Sequence, residues 1–242
     1  MENHLPRMRL RSAVTPEEKE KNSQKKLKIN KETLPFINFQ GKIEYHTDLI
    51  GCAMACDLLI KMVEESNDTM IMGFDMEWPF SFQTGPGKTA LIQISPNLEV
   101  SYLLHVSELK KLPVGLCTLL AHPKVRITGN NIKNDVRKLA RDFHLTDVEK
   151  IIDNCIDCGV FANEVLPLTQ RWSLEKLVQS VLGMRINKDK KVRMSKWGVI
   201  PLSKHQKSYA ATDTYASLKV FLQLKLLQKD PSSIENLPII AF

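Results

Sequence analysis

Met70-Ile71-Met72-Gly73-Phe74-Asp75-Met76-Glu77-Trp78 is apolar almost throughout and runs into Pro79 and a turn through Gly85-Pro86-Gly87. That is the pattern of a buried strand ending in a turn. Side chains alternate faces along a strand, so Asp75 and Glu77 point the same way. Two like charges side by side on an apolar strand repel. The cost falls if a cation lies between them or one of them takes a proton. The polar side of a half-exposed strand accounts for one acid more readily than for two.

Downstream, Ala90-Leu91-Ile92-Gln93-Ile94 and residues 100–106 read as two more strands. Three consecutive strands with short connections predict an antiparallel meander. Helical and strand patterns alternate afterwards: helices over about 107–121, 131–143, 173–182 and 203–228, a short strand at 125–128, and a strand or turn near 152–157. Upstream, a helix is predicted over about 46–65, with Thr47 as N-cap and Ile50, Met54, Leu58 and Met62 as its apolar stripe. Together these predict an α/β domain whose mixed sheet, a meander plus parallel strands, is flanked by helices.

Two further acids interrupt apolar faces. On the 131–143 helix the stripe is Ile132, Val136, Leu139 and Phe143, and Asp135 lies three after Ile132 and four before Leu139. On the last long helix Asp213 lies four after Tyr209 and three before Ala216. An acid on a core stripe is expensive unless paired or bound to metal; Arg137 and Lys138 are the nearest candidate partners of Asp135. Carboxylate oxygens suit Mg²⁺ or Mn²⁺. Two such ions roughly 3.5–4 Å apart can clamp an in-line phosphoryl displacement. A tyrosine hydroxyl one helical turn from a ligand can hold or deprotonate the attacking water.

The chain has 242 residues, 43% of them hydrophobic, a formal net charge of +7 and a pI near 9.1. The simplest division is one domain over 34–229, a basic tail over 1–33 and a C-terminal extension over 230–242. Residues 1–32 carry nine Lys/Arg and five Asp/Glu, hence +4, with almost no aromatic or β-branched residues. The tail is predicted to be disordered, because it cannot bury enough surface to offset its ordering entropy. Lys25-Lys26-Leu27-Lys28 is a weak match to a nuclear import signal or a DNA-gripping arm, and a solvated linker is the favoured reading. No apolar run reaches the roughly 18–20 residues that span a bilayer, and the amino terminus lacks a secretory signal. A soluble intracellular protein without membrane contact is expected, and its basic balance suits a polyanion partner. The odd count of five cysteines argues against a disulfide framework. Cys155 and Cys158 have zinc-like spacing but no second ligand pair, so buried thiols are expected.

Phe-Asp-Met-Glu-Trp-Pro (74–79), Asn-Asn-Ile-Lys-Asn-Asp-Val-Arg-Lys-Leu (130–139) and Tyr-Ala-Ala-Thr-Asp-Thr-Tyr-Ala (209–216) resemble, in order, the three exonuclease motifs of the DEDDy family, most of all its Werner-syndrome-type members. The match covers about residues 70–225. The resemblance implies an RNase H-like fold, two divalent ions (Mg²⁺ or Mn²⁺) and 3′→5′ release of 5′-mononucleotides. It assigns Asp75, Glu77, Asp135 and Asp213 as metal ligands and Tyr209 as the residue that positions water. DNA is the expected substrate, as single strands or recessed 3′ ends, in nuclear DNA repair and replication. A chain of 242 residues leaves no room for a helicase motor, so a separate helicase partner is expected to supply any unwinding. The alternatives are an RNA exonuclease of the ribonuclease D type, a non-catalytic nucleic-acid-binding module and a polymerase-held proofreading subunit.

Residues 185–196 hold six Lys/Arg and one acid, a candidate phosphate grip on a loop, with Lys190, Lys191, Arg193 and Lys196 as its contacts. Met76 and Trp78 flank Glu77 and are candidates to wedge or stack against the terminal base; Trp78 reads equally as core. Lys133, Arg137, Lys138 and Arg141 give the Asp135 helix a basic outer face, DNA-facing or merely solvated. Gly85-Pro86-Gly87-Lys88-Thr89 lacks the glycine that a phosphate-binding loop needs at position 82, where Phe82 stands, and a strand follows, so ATP binding is rejected. Asp157 reads as an N-cap. His105, His122, His144 and His205 read as structural.

Overall fold

The computed structural model describes residues 31–237. The predicted tail up to residue 30 and the last five residues lie outside the described part. In chain order the elements are β1 (Phe36–Ile37), β2 (Lys42–His46), α1 (Leu49–Glu65), β3 (Met70–Glu77), β4 (Phe80–Ser81), β5 (Gly85–Pro86), β6 (Leu91–Ser95), β7 (Val100–His105), α2 (Val114–Leu120), β8 (Val125–Gly129), α3 (Ile132–Phe143), α4 (Val148–Asp153), β9 (Cys155–Asp157), α5 (Cys158–Val165), α6 (Leu174–Leu182), β10 (Arg185–Ile186), α7 (Lys190–Arg193) and α8 (Lys204–Lys229). Short 3-10 turns at Lys31–Thr33 and Pro231–Asn236 flank them.

Six strands form one sheet in the order β2-β7-β6-β3-β8-β9. β3, β6 and β7 are the antiparallel meander, while β2 joins β7, β8 joins β3 and β9 joins β8 in parallel. The apolar core splits across this sheet. Phe74 and Met76 pack with residues of α1, α2, α3 and α4, while α5, α6 and α8 build the core of the other side. Gly73 makes the close packing on that second side possible. A Cβ there would lie 2.3 Å from the Thr214 carbonyl oxygen, so only glycine lets α8 press onto β3.

Helix boundaries follow local chemistry. Ser203 and Gln206 form a reciprocal capping box at the start of α8. Ser173 caps α6, and Gly183 closes it in the left-handed conformation at φ 62°. Asp157 accepts from the Gly159 and Val160 amides at the start of α5.

Several expectations are corrected. α1 begins after Asp48, whose carboxylate accepts from the Gly51 amide, and His46 is in β2. Its buried face is Cys52, Ala55, Cys56, Leu59 and Val63; Ile50, Met54 and Leu58 are exposed and Met62 is half-buried. The helix is apolar on both candidate stripes, and the one with small residues lets α2 approach closely: a Cβ on Gly115 would sit 3.2 Å from that of Cys56. The 107–121 helix is confined to α2, because Pro113 disfavours helical backbone at the residue before it. Residues 152–157 divide between the end of α4 and β9. The 79–87 turn contains the β4–β5 ladder, and the 185–196 loop contains β10 and α7. β10 pairs with β1, and Arg185 donates to the Leu34 carbonyl and lies over the Phe36 ring, a structural role. No helix among the described residues is long and apolar enough to cross a membrane.

Candidate active site

Asp75, Glu77, Asp135, Tyr209 and Asp213 line one cleft of about 450 Å³. β3 presents the first two on the face opposite Phe74 and Met76. α3 brings Asp135 from its first turn, and α8 brings Tyr209 and Asp213 one turn apart. The left-handed Asn131, at φ 63°, turns the chain from β8 into α3. Gly129 permits that turn to lie against the sheet, since a Cβ there would be 2.6 Å from the Phe74 carbonyl oxygen.

Burial and mutual repulsion dominate the electrostatics. Desolvation, with the charge of Asp213 next, pushes the Asp75 carboxyl up to about 7. The Met76 amide, donating to Asp75 Oδ1 at 2.9 Å, works the other way. Burial and Asp75 raise Asp135 to about 8, and burial, Asp75 and Asp213 hold Glu77 well above the ordinary carboxylate range. Asp213 is raised by burial against the opposing pull of Lys188. Burial and the surrounding acids also raise the Tyr209 hydroxyl.

Lys188 was not singled out from the sequence. Its ammonium lies 3.3 Å from Asp213 Oδ2 and 3.5 Å from Oδ1, and 5.7 Å from the Tyr209 ring centroid. Its place between a short strand and a short helix left no periodicity to mark it. Gln93 was also missed. It is opposite Asp75 across the β3–β6 ladder and fully buried, and its side-chain amide has no hydrogen-bond partner among the described residues. A polar residue inside Ala90-Leu91-Ile92-Gln93-Ile94 was the available signal.

The donor set suits hard divalent cations, being carboxylate oxygens throughout. A lysine ammonium beside Asp213 and an unpartnered buried amide beside Asp75 agree with a place built for added charge and polar ligands. Among the described residues no three acidic, His or Cys groups are already drawn into a shell around one point. Asp135 makes no ion pair among the described residues. Arg137 donates to Asn134, and Lys138 is drawn inward to Asp142 at 2.8 Å and to the Gly87 carbonyl at 2.7 Å, so it leaves the basic outer face.

The other predicted contacts separate. Arg193 lines the cleft; Lys190, Lys191 and Lys196 are exposed and do not line it. The Met76 side chain is in the core at 3% exposure, which leaves it almost no surface with which to wedge a base. Trp78 is half-buried at the rim, with the Lys138 ammonium 5.1 Å from its ring centroid. One neighbouring hollow, lined by Arg171, shares Asn130, Asn131 and Ser173 with the cleft, and a second, lined by Lys133 and Arg137, shares Asn131. Cys158 is buried, with its sulfur 3.1 Å from Thr128 Oγ1 and 3.6 Å from the Ser217 carbonyl oxygen. His105 is buried against the Tyr45 hydroxyl at 2.7 Å, and His122 accepts from the Lys124 amide.

A sheet of this order with acids converging from a strand and two helices defines a nuclease-like site, and comparison with known proteins agrees. The 3′-5′ exonuclease family profile matches residues 52–228. The chain belongs to the 3′-5′ exonuclease family. Proteins called 3′-5′ exonuclease from Drosophila yakuba and Drosophila melanogaster are each 47% identical to it, over 206 and 199 residues. The alignments cover 85% and 82% of this chain and 58% and 56% of those proteins, so the chain spans little more than half the length of these relatives. The catalytic core of RRP6 from Trypanosoma brucei superposes with a TM-score of 0.60 at 21% identity, covering 86% of this chain and 54% of that one. Escherichia coli RNase D gives 0.56 at 18% identity, covering 81% and 48%. At these identities the likeness carries the fold, and the fold is RNase H-like.

Proposed function

We propose that the protein hydrolyses nucleic acid from the 3′ end, releases 5′-mononucleotides, and takes DNA as its substrate. The observation that carries the reading is the convergence of Asp75, Glu77, Asp135, Asp213 and Tyr209, from β3, α3 and α8, on one cleft. The four carboxylates would hold two Mg²⁺ or Mn²⁺ ions, which when bound supply charge stabilisation for an in-line phosphoryl displacement. Tyr209 would orient the attacking water through its hydroxyl, held near Asp213. Lys188 and Arg193 bring positive charge to the same cleft, where the scissile phosphate would lie. The hollows lined by Arg171, Lys133 and Arg137 offer the preceding phosphates a path. The Werner-type motif set supports DNA over RNA, and with it a nuclear role in DNA repair and a separate helicase partner.

The test is digestion of 5′-labelled DNA and RNA strands of one sequence in Mg²⁺, by wild type and by Asp75→Ala. Laddering from the 3′ end on DNA, lost in the variant, is expected. Full activity in Asp75→Ala would overturn the site, and digestion of RNA alone would overturn the substrate.

A further inference from the structure

A pair of aromatic side chains stands where the fold gives it no work. β4 and β5 leave the end of β3 as a two-stranded hairpin, with Phe80 opposite Pro86 and Ser81 opposite Gly85. At the tip Phe82 is 90% exposed, and Phe80 is 45% exposed. Their rings meet edge-to-face at 5.4 Å and 88°. Single exposed apolar residues are ordinary, and turn tips ordinarily carry glycine or small polar residues. Two phenylalanines stacked on each other at a tip contribute nothing to the core.

The stem beneath them is clamped. An isolated two-stranded hairpin is marginal in water, but this one is tied at its base. The Gly87 amide donates to the Pro79 carbonyl at 2.8 Å. Lys138 donates to the Gly87 carbonyl and to Asp142. Asp142 accepts from the amide and hydroxyl of Thr89, both at 2.7 Å. Lys138 is one helical turn beyond Asp135, and the hairpin begins three residues after Glu77. Phe82 is five residues from Glu77, so its Cα lies within about 17 Å of that of the acid. The aromatic tip therefore stands on a braced stem, a short stretch of chain beyond Trp78, which itself lines the acid cleft.

A cleft of this size is in the range that holds one small ligand. It suits a single nucleotide and not a base pair, so a strand fed from a duplex must part from its complement before it enters. The face of a terminal base pair is flat and apolar, and aromatic side chains stack on it regardless of sequence. We propose that Phe82, braced by Phe80, is a strand-parting pin that caps the end of a duplex while its recessed 3′ strand enters the cleft. This rests on the nuclease reading above and assigns that site base-paired ends as substrates. Phe82 is thus a positioning residue for duplex ends.

The test compares wild type, Phe82→Ala and Phe82→Trp, each as the full chain in Mg²⁺. Substrates are one 5′-labelled strand alone and the same strand annealed to a longer complement. A second pair carries 2-aminopurine at the terminal base pair, whose fluorescence reports unstacking in Ca²⁺. For Phe82→Ala the ratio of recessed-duplex to single-strand rate should fall about tenfold and the fluorescence rise should shrink; Phe82→Trp should restore both to within about threefold. An unchanged ratio in Phe82→Ala overturns the pin and points to a protein-docking or idle tip. Equal losses on both substrates also overturn it, because that is simple single-strand stacking. If the wild type digests only RNA, the DNA reading fails by itself, and the same ratio measured on matched RNA strands still decides the pin.

Discussion

Helices α8 and α1 belong to the cores on opposite sides of one sheet and make opposite compromises. α8 buries Thr212, Asp213, Thr214 and Ser217. α1 buries two cysteines and an alanine while Ile50, at 73%, and Met54, at 66%, face outward. Exposing an apolar side chain is common and cheap, whereas burying an unpaired polar one is not. Thr214 is bonded to Ser95 and to helix carbonyls, and Asp213 is held by Lys188. A polar residue on the core stripe of α8 thus marks the part of the helix that borders the acid cleft. An apolar stripe on α1 does not identify which of its faces is packed.

The contrast can be broken most forcefully at Asp213. Asp213→Ala should lower 3′→5′ hydrolysis about a thousandfold, equivalent to roughly 4 kcal/mol of transition-state stabilisation. Rates on 5′-labelled strands give the first effect. The variant should unfold in chelator at no lower a temperature than wild type, because a buried, repelled charge has gone. A loss of activity accompanied by early unfolding would instead make Asp213 a fold residue. On α1, Leu59→Ala should cost about 2–5 kcal/mol in denaturant unfolding, as a buried large-to-small change does.

The acid side should also be sensitive to pH. Asp75 and Asp135 titrate near 7 and 8 in the folded chain, above their ordinary value of 3.8. Between about pH 4 and 8 the native state therefore binds more protons than the unfolded one. Stability then falls as pH rises through that window. Melting temperatures in chelator should decline from pH 5 to pH 8, and Mn²⁺ should flatten the decline by stabilising the ionised carboxylates. A chelated protein whose melting temperature climbs over that range would contradict the raised values. The smallest effect belongs to Leu58→Ala, next to Leu59 but 49% exposed, which should change stability by no more than about 0.5 kcal/mol. A cost matching Leu59→Ala would mean that α1 packs through its other stripe.

The central meander, the strand β8 and the termini of α3, α6 and α8 could be read from residue order, whereas α4 and α7 were not among the predicted helices. The apolar run over 70–78, Pro79 and the caps at Ser173 and Ser203 are local signals. The start of α1 was misplaced because Thr47 and Asp48 are both capping residues, and only the turn geometry chose Asp48. Lys188 escaped because it sits on no periodic face, and Gln93 because nothing in the β6 pattern shows that Asp75 lies opposite it. Met76 borders the cleft, yet its side chain is 3% exposed. Flanking Glu77 in sequence puts it on the other side of the strand, into the core.

That Asp75 and Glu77 share a face follows from chain order, because a period of two fixes it whatever surrounds the strand. The identity of the acids on α3 and α8 was equally legible, since helical spacing shows that each interrupts an apolar stripe. That these three elements meet was decided only by the packing of the folded chain. Gly73 admits α8 against β3, Gly129 admits the turn into α3, and Lys188 reaches Asp213 from 25 residues away. Close approach depends on absent atoms and distant partners, and a linear pattern records neither.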